Sequence, residues 1–253
     1  MNSPTPTSTT NRAPRSRRHR LLRWSLAAVA VVFIAVGAFV WWFFRGDAPD
    51  AVSIGNAVAE VQDTEAASTG VSGTWSVETS IGEFNYEDST GTFVGFRVDE
   101  QLSGIGSTTA VGRTPEVSGT LEIEGTTRTS VTIEADMTAI TTNESRRNDK
   151  VQSALGTAEF PTATFVLTDP IELGAAADGE PVSTTATGEL TIHGVTTTVT
   201  IPIEAQLVDE NIVVVGSLDI VFADYGVSVP SAPIVVSAED QGVVEFQLFF
   251  AQG

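Results

Sequence analysis

The sequence predicts an all-β domain, an antiparallel barrel or sandwich of about eight or more strands, with one inserted helix and a single transmembrane helix before it. Three observations lead to this fold class. An uncharged apolar run lies near the N-terminus, period-two alternation dominates from Gly73 onward, and one segment of that region replaces alternation with good helix formers. A length of 253 residues suits one such domain with added N-terminal segments.

The apolar run covers residues 24–44, from Trp24 to Phe44, and carries no charge. As a helix with a rise of about 1.5 Å per residue it reaches about 31 Å, enough to cross the ~30 Å hydrocarbon core of a bilayer. Six arginines precede it and one follows. This asymmetry predicts a single-pass cell-membrane protein with a cytoplasmic N-terminus and an extracytoplasmic C-terminal domain. The alternative, a cleaved signal peptide, is disfavoured by the length of the run and its bulky end.

Charge divides the chain into two parts. Residues 1–45 hold seven basic side chains and no acidic one, whereas the rest of the chain holds six basic and 32 acidic side chains. The acidic part would repel phosphate backbones, so we expect no nucleic-acid partner. The basic part lies beside the apolar run, which makes a membrane its expected context.

These patterns divide the chain into four segments. Residues 1–20 have almost no apolar content, which predicts a disordered, basic cytoplasmic tail. Residues 21–45 form the predicted transmembrane helix. Residues 46–72 are acidic and contain no aromatic residue, so we expect a flexible stalk, with a short helix at 56–65 as an option. Residues 73–253 form the β domain.

Strand alternation in the β domain is cleanest at residues 195–205, where Val and Ile on one face alternate mainly with Thr on the other. Seven more segments alternate in the same way, at residues 94–98, 117–124, 131–137, 163–168, 188–192, 212–222 and 244–250. One apolar face per strand is typical of an antiparallel barrel or sandwich whose outer side is exposed to solvent. Residues 143–156 lack alternation and predict the inserted helix, with Gly156 at its end.

The sequence contains no recognisable catalytic constellation. The absence of cysteine excludes disulfides, a thiol nucleophile and Cys-ligated metals, and two histidines leave little room for a His-rich site. His19 precedes the apolar run, so His193 is the one imidazole of the β domain. With Gly194 it predicts a tight hairpin turn, a structural role favoured over ligand orientation or acid–base chemistry. We therefore expect no enzyme activity, no metal and no cofactor.

The interior of the β domain is the remaining candidate site. A small barrel either fills its interior with side chains or leaves a cavity for one apolar ligand, and composition alone leaves both open. The inward apolar faces supply the candidate cavity residues, which are Phe96, Val98, Met137, Phe165, Leu190, Ile192, Leu218, Phe222 and Phe246.

Four sequence features together resemble a known family. Residues 188–196, GELTIHGVT, closely resemble the G-x-L-T-I-H-G-V-T segment of the YceI-like family. Three more features resemble motifs of that family in the same order, namely Trp75 with the following SVE, residues 141–150 with the later Phe160-Pro161 and Phe165, and the DYGV of residues 224–227. The resemblance covers about residues 73–253.

The resemblance implies a lipocalin-like extended antiparallel barrel whose apolar cavity binds polyisoprenoids or similar amphiphiles. Together with the apolar run of residues 24–44, it favours a membrane-tethered, extracytoplasmic protein that binds a long-chain lipid, such as a polyisoprenoid or a prenylquinone, without catalysis. The alternative function, which is not ligand binding, is that of a cell-surface structural or interaction module with a filled core and no ligand.

Overall fold

The structure, a computed structural model, describes residues 48–61, 71–84, 90–104, 106–124, 128–142, 145–171, 180–229 and 235–253. The predicted cytoplasmic tail and the predicted transmembrane helix fall on residues 1–47 and lie outside the described residues. Among the helices of the described ranges, none is both long and apolar enough to cross a bilayer.

The described chain is mainly antiparallel β-sheet, which confirms the all-β prediction. The strands in chain order are β1 (Gly73–Glu78), β2 (Phe93–Leu102), β3 (Gly106–Thr114), β4 (Val117–Glu124), β5 (Arg128–Asp136), β6 (Thr141–Thr142), β7 (Thr162–Leu167), β8 (Val182–Ile192), β9 (Val195–Val208), β10 (Asn211–Val221), β11 (Val235–Ala238) and β12 (Gln241–Gln252). β1 pairs with β4 on one side and with β12 on the other. This pairing closes an eight-stranded barrel in the spatial order β1-β4-β5-β7-β8-β9-β10-β12.

The sheet branches at β12. Along one edge β12 pairs with β10 over its whole length. Along its other edge it pairs with β1 near its C-terminal end and with β2 in its N-terminal half. β2 continues to β3 and β6, and the short strand β11 adds to the edge of β2. One branch therefore closes the barrel, and the other extends the sheet beyond it.

Inward side chains of the barrel strands form the main core. Trp75, Leu121, Ile133 and Phe250 belong to it and are all buried. The Trp75 indole N–H has a hydrogen-bond partner within this apolar interior, because its Nε1 donates to the Val71 carbonyl at 2.9 Å. The observed core thus comes from the predicted apolar faces.

The inserted helix is present as α2 (Ser145–Ala154), inside the predicted range of 143–156. Val151 is buried, and Leu155, just after the helix, packs against the main core. The helix ends before Gly156, whose φ of +57° suits glycine at a helix terminus. Arg147 also forms an ion pair with Glu100 of β2. Burial raises the pKa of Glu100, and the charge of Arg147 opposes that shift.

Residues 48–61 overturn part of the predicted flexible stalk. They include the short helix α1 (Ile54–Ala59), which begins two residues earlier than the optional helix. The Ser53 hydroxyl caps this helix by accepting from the Asn56 amide at 3.3 Å. We call residues 48–61 the outer brace. They belong to the same compact unit as the barrel.

The outer brace is held against the outside of the barrel by apolar packing. It contributes three buried side chains, which are Ala57, Val58 and Val61, to a second apolar cluster. The barrel contributes buried residues of β9, β10 and β12, which are Val208, Val213, Val215 and Phe249. The stalk prediction was wrong here because small apolar residues on one side of a helix suffice for packing when a sheet presents apolar residues on its outer face.

Candidate functional site

An apolar cavity of about 140 Å³ lies inside the barrel. None of its 27 lining residues is charged, and only Thr164, Thr184 and Gln206 carry polar side chains. Aliphatic and aromatic walls of this kind favour hydrocarbon over water. The site is therefore suited to an apolar chain and offers no ionisable group for acid–base chemistry at its walls.

On β9 and β10 the cavity lining lies toward one end of the barrel, whereas on β8 it extends from Val182 to Leu190. On β9 its lining residues run from Ile201 to Leu207, near the end of the strand, and on β10 they are Ile212 and Val214, near its start. Those two strand ends meet at a tight connection, because Val208 pairs with Asn211. The opposite end of the barrel contains the turn between β8 and β9.

Two aromatic rings of the cavity wall lie over glycines. A Cβ on Gly188 would lie 2.6 Å from the Phe165 ring, and one on Gly216 would lie 2.5 Å from the Phe246 ring. Any larger residue at these positions would push the ring inward. The two glycines therefore give the rings room to lie against the sheet, which preserves the open volume.

The structure brings together only part of the predicted site. Phe165, Leu190 and Phe246 line the cavity. Two other candidates, Phe96 and Met137, pack with the main core without lining it. The last four candidates are half-buried and also do not line the cavity. They are Val98, Ile192, Leu218 and Phe222.

For three of these six candidates, Ile192, Phe222 and Met137, the misplacement has a simple cause. Alternation identifies the inward face of a strand but says nothing about how far along the strand a cavity extends. Ile192 is the last residue of β8, and Phe222 follows the end of β10 in a 3-10 turn (Phe222–Tyr225). Both lie near strand ends that the cavity does not reach. Met137 likewise begins a 3-10 turn (Met137–Ala139) instead of extending β5.

Several cavity residues were absent from the predicted site although the same alternation places them on inward faces. They are aliphatic or aromatic and include Ile123, Val131, Ile201, Ile203, Val214, Leu248 and Phe250. Two more, Val71 and Ile171, lie outside any strand. No periodic signal could have identified Val71 and Ile171 in the sequence.

His193 and Gly194 form the two-residue turn that joins β8 to β9, since Ile192 pairs with Val195. Both turn residues have positive φ, +52° and +73°. His193 Nδ1 hydrogen-bonds to the carbonyl of Tyr225 at 3.1 Å, and its ring meets the Phe160 ring edge-on at 4.9 Å. His193 does not line the cavity, so its contacts join separate segments at this end of the barrel.

We expect Gly194→Val to destabilise the barrel far more than His193→Asn. Valine at positive φ is strained by about 1–3 kcal/mol, and its Cβ would lie 2.5 Å from the Phe160 ring. Asparagine tolerates positive φ and loses about one hydrogen bond, worth about 1 kcal/mol. Melting temperatures of both variants measure the difference. If His193→Asn lost ligand binding while keeping its melting temperature, the structural role of the imidazole would be refuted.

Within the described ranges, no group of three or more His, Cys, Asp or Glu side chains is placed to hold a metal ion. The buried charges instead belong to an ion cluster on the outer face of the sheet, where Glu245 contacts Arg97 and Arg113. These side chains do not line the cavity.

Comparison with known proteins identifies one matching family model and two solved structures with a similar fold. The family model described as the YceI-like domain matches residues 86–250. A polyisoprenoid binding domain from Saccharophagus degradans, implicated in plant cell wall breakdown, is similar with a TM-score of 0.54 and 20% identity, over 71% of this chain and 98% of that chain. BcnA from Burkholderia cenocepacia is similar with a TM-score of 0.50 and 21% identity, over 62% of this chain and 95% of that one. At these identities the two structures are evidence for the fold alone. Among curated proteins, none matches this chain.

Proposed function

Because the chain belongs to the YceI-like family, we propose that it is a membrane-tethered, extracytoplasmic binding protein that holds the apolar chain of a long lipid, a polyisoprenoid or a prenylquinone, inside its barrel. The observation that carries this proposal is the uncharged cavity between Phe165 and Phe246. The open volume between these walls supports this proposal over the alternative, a surface module with a filled core and no ligand.

Hydrocarbon burial supplies the binding energy in this proposal. Each buried methylene group contributes about 0.8 kcal/mol, so a short buried isoprenoid segment binds without a hydrogen bond. The near absence of polar lining groups leaves no partner for a polar head group inside. A head group would lose its hydration there at a cost of several kcal/mol, so it stays outside the cavity. The proposal therefore requires no catalytic step.

The cavity volume limits how much of the ligand fits. A cavity of about 150 Å³ accommodates a molecule as small as benzene. The 140 Å³ observed here therefore takes only a short terminal segment of a long isoprenoid. A longer buried length requires the barrel wall to move outward.

The tether is proposed from the sequence. Residues 24–44 have the length and apolarity of a membrane span, and the arginines before them favour a cytoplasmic N-terminus. The strongly acidic remainder would then lie outside the cytoplasm, where this account places the barrel.

One experiment tests both parts of the proposal. Protease added to intact cells should release the barrel and spare the N-terminal tail, and lipid extracted from the released barrel should contain an isoprenoid by mass spectrometry. Release of the barrel into the medium without protease would contradict the tether. A released, folded barrel that carries no lipid would contradict the binding function.

A further inference from the structure

Strand β12 is buried on both of its faces. Its inner row lines the cavity and consists of Val244, Phe246, Leu248 and Phe250. Its outer row consists of Glu245, Gln247 and Phe249, which are all buried. Since successive side chains of a strand point to opposite faces, the outer row lies directly behind the cavity wall. Whatever covers the outer row therefore supports that wall.

The first residues of the outer brace are held at Glu245. The Glu245 carboxylate accepts from Arg97 Nε at 2.7 Å and from Arg113 Nη2 at 2.8 Å. The same arginines donate to the main chain of the brace, Arg97 to the Pro49 carbonyl and Arg113 to the Asp50 carbonyl at 3.0 Å. Charge-assisted hydrogen bonds of this kind are among the stronger ones in proteins. The cluster thus fixes the start of the brace to β12.

Helix α1 holds the other end of the same wall. Ala57 is fully buried and belongs to one apolar cluster with Val213 of β10 and Phe249 of β12. The neighbours of those two residues along their strands, Val214 and Leu248, line the cavity. One layer of side chains therefore separates the brace from the lipid site on two adjacent strands.

We propose that the outer brace, residues 48–61, controls how tightly the barrel retains its lipid, although none of its residues lines the cavity. This inference rests on the proposed function. Protein layers are close-packed, so a wall with a packed layer behind it resists outward movement. A long chain that fills more than the cavity needs such movement to enter or leave. A docked brace is then expected to slow both the entry and the exit of the lipid.

A matched pair of substitutions in α1 tests the coupling. Ala57→Glu places a carboxylate in the buried cluster and should undock the brace, whereas Ala59→Glu adds the same charge at an exposed position of the same helix. Full-length protein in detergent is loaded with solanesol, a long polyprenol. Its exchange for deuterated solanesol is followed by native mass spectrometry. We expect Ala57→Glu to exchange about tenfold faster than the parent, because the barrier to outward movement of the wall is lower, and Ala59→Glu to match the parent.

Hydrogen exchange of the brace amides shows whether the brace has undocked. Parental solanesol exchange in a variant whose brace amides have lost protection would overturn the inference and leave the proposed function intact. A parent protein that retains no solanesol would remove the proposed function, and the inference with it. If Ala57→Glu does not fold, Val61→Ala, a smaller change in the same buried cluster, should give a several-fold faster exchange, and the same comparison decides.

Discussion

Phe165→Asp is expected to abolish lipid binding, while Val166→Asp at the next position leaves it unchanged. Phe165 lines the cavity, where none of the lining residues is basic and a new carboxylate would have no counter-charge. Burying an unpaired charge costs several kcal/mol, which corresponds to a loss of on the order of 100-fold or more in affinity. Val166 lies on the outer face and is 40% exposed, so aspartate there stays hydrated. Retention of solanesol by the full-length variants measures the effect.

Circular dichroism must show that both aspartate variants fold. A carboxylate in the interior can also lower the stability of the barrel, and the Val166→Asp variant controls for the added charge. A folded Phe165→Asp variant that retains solanesol as the parent does would show that Phe165 does not contact the lipid.

Glu245→Gln is expected to give the largest loss of stability, about 3–5 kcal/mol in the free energy of unfolding. Removing one member of a buried ion cluster leaves the remaining charge desolvated and without compensation. Arg113 is 3% exposed and would lose the carboxylate that it contacts through both Nε and Nη2. Arg97 is 16% exposed and retains some access to water, which favours the lower end of the range.

Urea unfolding of the full-length protein measures the Glu245→Gln effect, with Glu204→Gln as the control. Glu204 is exposed on β9, so its neutralisation removes the same charge from a hydrated position. We expect less than about 0.5 kcal/mol for the control. Equal stability of the two variants would show that the ion cluster does not hold the outer layer together.

Strands with an apolar inward face could be predicted from the sequence wherever that face alternates with other residue types. All eight predicted segments lie wholly or mostly within observed strands, and they include β12, whose outer face is also buried. β3 was missed. Both of its faces are buried toward its C-terminal end, where Ala110, Val111 and Arg113 follow no alternating pattern.

A signal for the outer brace was nevertheless present in the sequence. Residues 212–215 of β10 are consecutively apolar, which is typical of a strand covered on both sides. Phe249 of β12 breaks alternation in the same way, as an aromatic residue on the outer face. The brace itself contains no large aromatic residue, so its composition resembled that of a flexible linker. The outward apolar residues of β10 and β12 therefore indicated a covering segment, whereas the composition of the brace did not.

The position of the cavity along the barrel could not be predicted from alternation. It depends on where the rings of Phe165 and Phe246 lie relative to Gly188 and Gly216. Gly216 and Phe246 are directly paired across strands that are distant in sequence, and such pairings are set by register. Local periodicity carries no information about register between distant strands.

Photo-crosslinking shows whether the barrel interior holds the lipid chain. Full-length protein in membranes is loaded with a polyprenol carrying a diazirine near its terminal isoprene unit, irradiated and digested, and the modified residues are located by mass spectrometry. We expect modification of inward residues of β7, β9 and β12, such as Phe165, Ile203 and Phe246. Modification confined to outward residues such as Val166 or Val236, or no modification of the barrel, would contradict it.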